Sequence, residues 1–449
     1  MKKHSGKKTA CFFIEALGCP KNLVESEVIS GSLLTRGYTI SFDPDEADIY
    51  IIDTCGFLPA ARHEAAESIS FGCEWKSARK GRKLIVAGCL LNHPDIGTFK
   101  KHFSGVDLWV PVNDTARIPE LLDGAEMLGD ENGITFLADE TNPRMQFTLP
   151  HVAYLKISDG CNNRCAYCAI PKLRGELRSR NLSGIVSEAK QLIDNGVKEL
   201  VVIAQDLTAY GQDVPERKEN AASLLRALDD IEGDFVIRLL YTHPAHYTDE
   251  FIDTVAEGKH ILPYLDMPLQ HISDRILSAM NRHIDRAGIE KLLAKLRDRI
   301  PGLTMRTTFI TGLPGESEEE FNELCEFVKK WKFERFGVFS YAPEPGTPAA
   351  AMPEQIPEEI ADARAKKLLK SQKERMKREQ KKLIGSQIEA IFDYVDEETS
   401  YGVARTFADA PDIDNVLYFD ADETVRPGDF ITVEITGTTS TDLIGKLLS

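Results

Sequence analysis

Between Gln146 and Met352 the chain runs six times through a short apolar strand followed by a helical pattern, and no other feature narrows its possible folds as much. The strands fall near Val152–Ser158, Glu199–Ala204, Phe235–Leu240, Pro263–Asp266, Thr304–Thr311 and Arg335–Tyr341. Such repetition dictates parallel pairing, because each crossover helix carries the chain back to the same end of the sheet. Six units are too few to close an eight-stranded barrel. The expectation is an open, partial (β/α)6 barrel whose site lies at the carboxyl ends of its strands.

Chemistry-bearing residues appear at that end of the first strand. Cys161, Cys165 and Cys168 have the spacing C-x3-C-x2-C in the loop that follows it. A structural zinc site takes four protein ligands, usually as two CxxC-like pairs. Three close thiolates with no local fourth ligand suit a [4Fe–4S] cubane with one iron open. The spacing is the signature of radical S-adenosylmethionine (SAM) enzymes, in which SAM chelates that iron and reductive cleavage releases a 5′-deoxyadenosyl radical. A structural metal knuckle is the bland alternative. Tyr167 lies inside the loop, and the run Arg174-Gly175-Glu176-Leu177-Arg178-Ser179-Arg180 offers an acid and arginines to grip the ammonium and carboxylate of SAM. Thr308, Ile310 and Gly312, in the glycine-rich end of the fifth strand, are candidates for backing its adenine. His243, Gln270 and His271, just past strand ends, are candidates for lining a substrate cleft.

The first segment, 1–144, alternates strands near Cys11–Leu17, Ile49–Ile52 and Leu84–Ala87 with helices near Leu23–Thr35, Ala60–Trp75 and Ile118–Leu122. This is the pattern of a small doubly wound α/β domain. Each strand runs into a cysteine-bearing turn, at Cys19, Cys55 and Cys89. Carboxyl ends of parallel strands share one sheet edge, so three thiolates far apart in sequence can converge on a second open cluster. Cys11, Cys73 and Cys325 sit within elements and read as small buried hydrophobes.

After the barrel segment, 146–352, a Pro-rich loop begins at Pro343, and residues 357–385 form a connecting helix with Ala361, Ala365, Leu368, Leu369, Met376 and Leu383 near one face. From 386 to 449 the hydrophobic period becomes two, clearest at Ile431, Val433 and Ile435, which implies five short strands in an OB-like barrel. Net charge is −17, and that last segment holds 14 acidic against three basic residues. Such a surface repels polyanions and suits a basic partner. No apolar run approaches the roughly 20 residues of a membrane span, and the apolar stretch after the basic start is broken by Glu15. A cytoplasmic protein is expected, its nine cysteines present as thiols or metal ligands.

Leu17-Gly18-Cys19-Pro20-Lys21-Asn22, Thr54-Cys55-Gly56-Phe57, Gly88-Cys89-Leu90, the cysteine triad and the Pro171-x-x-Arg174-Gly175 run together resemble the radical-SAM methylthiotransferases, in their RimO branch. The resemblance spans the whole length and departs from the family at Asp53, where Asn is common, and at Glu25, where Asp is usual. It implies an N-terminal methylthiotransferase domain, a radical SAM core and a C-terminal TRAM barrel, with two [4Fe–4S] clusters on the two cysteine sets and Asn22 beside the cleft. It implies that one SAM methylates a sulfur held at the N-terminal cluster while a second supplies the radical. The product is a thiomethyl group on the β-carbon of an aspartate in protein S-twelve of the small ribosomal subunit. A flavodoxin or ferredoxin is the expected electron donor, and the enzyme is expected to be monomeric and not to bind tRNA. The sister branch modifies a tRNA adenosine and typically carries Gly-Cys-Gln-Met-Asn at the first cysteine, where this chain has Gly18-Cys19-Pro20-Lys21-Asn22. A non-catalytic iron–sulfur carrier or sensor on the same fold is the alternative of a different class.

Overall fold

The computed structural model describes residues 10–129, 133–214 and 216–448. Three bodies follow one another along the chain. In the first, strands β1 (Cys11–Ala16), β2 (Thr39–Ile40), β3 (Ile49–Thr54), β4 (Lys83–Gly88) and β5 (Leu108–Val110) form a parallel sheet in the order β2-β1-β3-β4-β5. Helices α1 (Pro20–Thr35), α2 (Pro59–Ala78), α3 (Ile96–His102) and α4 (Ile118–Leu122) accompany it. The first four residues of β3, Ile49-Tyr50-Ile51-Ile52, are all apolar because both faces are covered. Ile49 and Ile51 pack against Ile29 and Leu33 of α1, while Tyr50 and Ile52 pack against Ile69 and Trp75 of α2.

The second body opens with β6 (Val152–Lys156), whose extension β7 (Ser158–Asp159) pairs with β8 (Arg178–Ser179) around the cysteine loop and the short helix α5 (Ile170–Leu173). It continues through α6 (Leu182–Asp194), β9 (Glu199–Ile203), α7 (Ala221–Asp229), β10 (Val236–Leu239), α8 (Asp249–Glu257), β11 (Ile261–Asp266), α9 (Asp274–Ala279), α10 (Arg286–Arg299), β12 (Thr304–Thr311), α11 (Glu318–Trp331) and β13 (Arg335–Ser340). The six long strands pair in sequence order, all parallel, as an open partial barrel. Alternate residues, such as Leu155, Val202 and Leu239, face the helices; Tyr154, Val201 and Tyr264 face inward.

Helix α12 (Glu358–Lys381) leads to a closed barrel of β14 (Gln387–Val395), β15 (Gly402–Thr406), β16 (Leu417–Phe419), β17 (Phe430–Thr438) and β18 (Leu443–Leu447). Ala361, Ala365 and Leu368 of α12 are buried, Leu369 and Met376 partly so, and Leu383, expected on the same face, lies beyond the helix and is exposed. The inner face of the open barrel is filled by residues 407–413 of this third body: Phe407, Ala410 and Ile413 pack on Tyr154, Val201 and Tyr264. An open barrel needs such a filling, because its inner strand faces have no facing strands to pack against.

Part of the acidity at the end of the chain is therefore spent internally. Asp393 bonds His151 and Arg405, Asp409 pairs with Arg335, and Asp414 with Arg306 and the Tyr264 hydroxyl. Arg405 also reaches Glu199 of β9 at 2.6 Å, and Glu199 in turn holds Arg238. Burial would raise Glu199 and Asp393, but these arginines and, for Asp393, the His151 bond offset it and hold both carboxyls below their usual range. A carboxylate depressed in the folded state stabilises fully above its unfolded value, and that contribution fades as pH falls through the folded one. The docking of the terminal barrel should therefore weaken on acidification below about pH 4, seen as hydrogen exchange at 407–413 rising before exchange in the strands. Arg405→Met leaves two buried carboxylates short of a partner and should cost about 3–5 kcal/mol, read as a fall in melting temperature.

Candidate active site between two sheet edges

The carboxyl ends of the two parallel sheets open onto one cavity of about 300 Å³, and all six cysteines from the two sets line it. Cys19, Cys55 and Cys89 follow β1, β3 and β4; Cys161, Cys165 and Cys168 follow β6 and β7. In the first sheet β1 and β3 are the neighbours from which the chain winds in opposite directions, the crevice where ligands bind in such sheets. Cys19 lies three residues past β1 at the N-cap position of α1, whose first turn is fixed by Pro20 at the first helical position. Gly18 has φ +90°, and a Cβ there would lie 2.4 Å from the Cβ of Cys55, so only glycine lets the first two cysteine turns touch.

Each set offers three thiols. A cubane takes one thiolate per iron, and its ligands stand farther apart than those of a single ion. Among the described residues the group compact enough for a single ion is a different one, Asp206, His243 and His246. Burial pushes Cys161 up to about 11 and Cys168 up to about 12, so metal binding must displace their protons. In the other set Cys55 is lowered by a hydrogen bond from Cys89, which is itself raised. Arg282 approaches Cys165 Sγ at 3.4 Å and Tyr167 Oη at 3.4 Å, placing a buried cation beside a thiol that is to become a thiolate.

Between the two sets runs a buried charge network. Arg174 bonds the carboxylate of Glu25 and the side-chain oxygen of Asn22, both on α1, and lies 3.5 Å from Asp159. Lys156 bridges Glu25 at 2.9 Å and Asp159 at 3.2 Å. Asn22 donates to Thr54 O beside Cys55. Asp53 lies next to this network with Ser26 donating to it at 2.8 Å. Burial and the Glu25 carboxylate push Asp53 well above the usual range. Its neutral form is thereby favoured, the form nearest in shape to the Asn that is common there in the resemblance.

The remaining sequence candidates divide. Tyr167, Arg174, Asn22, His243 and Gln270 line the cavity. Gly175 abuts the cysteine loop through its carbonyl, which accepts from Cys161 N–H at 3.2 Å. Glu176 and Arg178 do not line the cavity: the Glu176 carboxylate faces solvent beside Arg164, and Arg178 bonds the carbonyls of Arg174, Glu176 and Phe136. Arg180 points the other way, to Glu188 and Lys156 O. Thr308 and Ile310 lie in β12 outside the cavity lining. Gly312 is glycine because α12 crosses it, a Cβ there falling 2.3 Å from that of Ala361. His271 is fully buried in its loop, its Nδ1 accepting from Ser273 N–H. Cys11, Cys73 and Cys325 are only partly buried; Cys11 begins β1, and Cys73 and Cys325 lie within α2 and α11, packed against the apolar clusters.

Lys21, Gln205, Tyr241 and Arg282 line the cavity without having been singled out as site residues. Gln205 and Tyr241 follow strands β9 and β10 directly, so the strand-end rule applies to them as it does to His243. Arg282 comes from the turn after α9, where no sequence pattern marks it. Tyr241 and Gln270 both have positive φ, +62° and +73°, an unusual backbone for such side chains that clusters at functional sites. His243 Nδ1 accepts from Ala245 N–H, which assigns the ring proton to Nε2, an atom with no partner among the described residues. Burial foremost, with Arg282 and neighbouring histidines, pushes its pKa down to about 2, so it is a neutral donor at the cavity wall.

Three family profiles match in the order of the three bodies: "Uncharacterized protein family UPF0004" over residues 11–111, "Radical SAM superfamily" over 155–328, and "TRAM domain" over 384–448. Radical SAM membership brings with it SAM and an iron–sulfur cluster. Among solved structures, the radical SAM methyltransferase TsrM from Kitasatospora setae is similar with a TM-score of 0.57 at 15% identity, over 76% of this chain and 74% of that one; this is likeness of fold. Relatives named ribosomal protein uS12 methylthiotransferase RimO are similar from end to end. The one from Geobacter sulfurreducens is 40% identical over 97% of this chain and 98% of its own. That from Bdellovibrio bacteriovorus is 38% identical over 100% and 99%. Likeness at that level runs through both cysteine-bearing sheets and the terminal barrel alike, and the chain belongs to the RimO family of radical SAM methylthiotransferases.

Proposed function

We propose that this enzyme replaces a C–H bond by C–SCH3 on the β-carbon of an aspartate in ribosomal protein uS12, with Cys161, Cys165 and Cys168 holding one [4Fe–4S] cluster and Cys19, Cys55 and Cys89 a second. The observation that carries it is that both cysteine sets line one cavity. Two three-thiol sets suit two cubanes, each with an iron left for a small ligand. When bound, the clusters and SAM supply the radical that removes hydrogen from an unactivated carbon and the sulfur that replaces it. The chain's own contribution is position and exclusion. Arg174 and Lys156 tie α1 to the barrel, fixing the spacing of the two sets. His243 Nε2–H and the Gln270 side chain offer polar contacts at the wall. The named relatives all carry the uS12 designation, and the acidity of the terminal barrel opposes tRNA, so the tRNA branch is not favoured.

Cys161→Ala should abolish both 5′-deoxyadenosine formation and methylthiolation. Cys55→Ala should stop methylthiolation while SAM cleavage persists; loss of cleavage there as well would contradict two separate clusters. Gly18→Ala, by forcing Cys19 and Cys55 apart, should lower iron from about eight toward about four per chain with cleavage retained. Exposed Glu397, Glu398, Asp420, Asp422 and Glu423 of the terminal barrel enter no ion pair among the described residues, so they remain to steer a basic protein. Raising salt from low to moderate ionic strength should slow association with uS12 about tenfold or more in stopped flow, and a salt-independent rate would remove steering by this barrel.

A further inference from the structure

Lys21 is placed where a lysine should not be without a reason. It lies in the first turn of α1, the positively polarised end of the helix, where a cation is disfavoured. It is 8% exposed, yet its ammonium enters no hydrogen bond or ion pair among the described residues. Its contact is the face of Tyr241, with Nζ 3.1 Å from the ring centroid. Tyr241 is held for that contact by a left-handed backbone, φ +62°, and by its N–H donating to Asp266. Asp266 itself is taken by Arg306 at 2.9 Å. Lys21, two residues after Cys19, and Tyr241 both line the cavity that all six cysteines line. A buried, unpaired ammonium at a cavity wall is costly unless an anion arrives to meet it.

We propose that Lys21 is the specificity-determining residue that receives the side-chain carboxylate of the target aspartate, an inference that rests on the reading under Proposed function. The γ-carboxylate is one bond from the β-carbon. An ammonium gripping it beside Cys19 therefore sets that carbon next to the sulfur-bearing site and turns its hydrogen toward the other wall. An amide in place of the carboxylate cannot neutralise the ammonium. Tyr241 provides the resting contact for Lys21 in the absence of substrate and keeps the long side chain extended into the cavity.

The test uses the full chain, reconstituted anaerobically, and two synthetic peptides spanning the target segment of uS12, one with the aspartate and one with asparagine. The wild type should prefer the aspartate peptide by about 30-fold or more in kcat/KM, the range for losing one partner of a buried charge pair. Lys21→Met should lose that preference by slowing the aspartate peptide while hardly changing the asparagine one, and Lys21→Arg should restore most of it. Iron content and the electron paramagnetic resonance of the reduced protein should match the wild type. A Lys21→Met enzyme that keeps the preference, or slows both peptides alike, overturns the assignment. So does loss of iron, which makes Lys21 a support of the metal site, or a raised KM for SAM with the preference intact, which assigns the ammonium to the SAM carboxylate. Should the wild type modify neither peptide, the proposed substrate fails. Anaerobic peptide binding by fluorescence anisotropy then judges Lys21: a wild-type preference for the aspartate peptide lost in Lys21→Met supports it, and equal affinities overturn it.

Discussion

The structure turns on the buried guanidinium of Arg174. It stems from the end of α5, just after the cysteine loop of the second body, and bonds Glu25 and Asn22 on the helix that follows the first cysteine of the first body. A buried arginine without these partners would be prohibitively costly, and so would Glu25 without Arg174 and Lys156. Each side of the interface therefore requires the other. Nonpolar packing alone would hold the two sheets together but leave their relative slide soft. A planar donor fork matched to a carboxylate and an amide oxygen fixes direction as well as distance. The chemistry needs such fixity, since sulfur and radical must meet at one carbon, and a misplacement of about 1 Å can cost some 100-fold in rate.

Much of this could be read in the residues. The six strands of the partial barrel, the five-stranded terminal barrel and the convergence of Cys19, Cys55 and Cys89 on one sheet edge all follow from hydrophobic period and from what parallel sheets do with their carboxyl ends. The short edge strands β2 and β5 did not stand out, because two or three residues at a sheet margin carry no period. Charged loop residues were the least legible. In the sequence Glu176, Arg178 and Arg180 look alike as candidates for SAM, yet Glu176 faces solvent, Arg178 bonds backbone carbonyls and Arg180 faces Glu188. Side-chain direction after a strand end depends on the β7–β8 pairing, which two residues on each side cannot announce. Gly312 shows a similar limit: a glycine-rich turn signals close approach, but not whether the approaching object is a ligand or, as here, a helix.

The terminal barrel uses its acidity in two ways that composition alone merges. Asp393, Asp409 and Asp414 face arginines and a histidine of the core and the barrel itself, where they fasten the plug of residues 407–413 into the open barrel. The exposed acids of the loops after β14 and β16, Glu397, Glu398, Asp420, Asp422 and Glu423, enter no ion pair among the described residues. Ion pairs of the first kind are dry and little affected by salt, whereas the field of the second kind is screened within about 10 Å at moderate salt. The same domain thus completes the core's packing and presents charge outward, and the two roles separate by burial. The same separation explains why a chain of net charge −17 can keep cationic residues in its centre: Lys21, Arg174 and Arg282 sit on the cavity. Thiolates of the two sets would supply negative charge beside Arg174 and Arg282, and a cavity lined by such cations is itself suited to an anionic group.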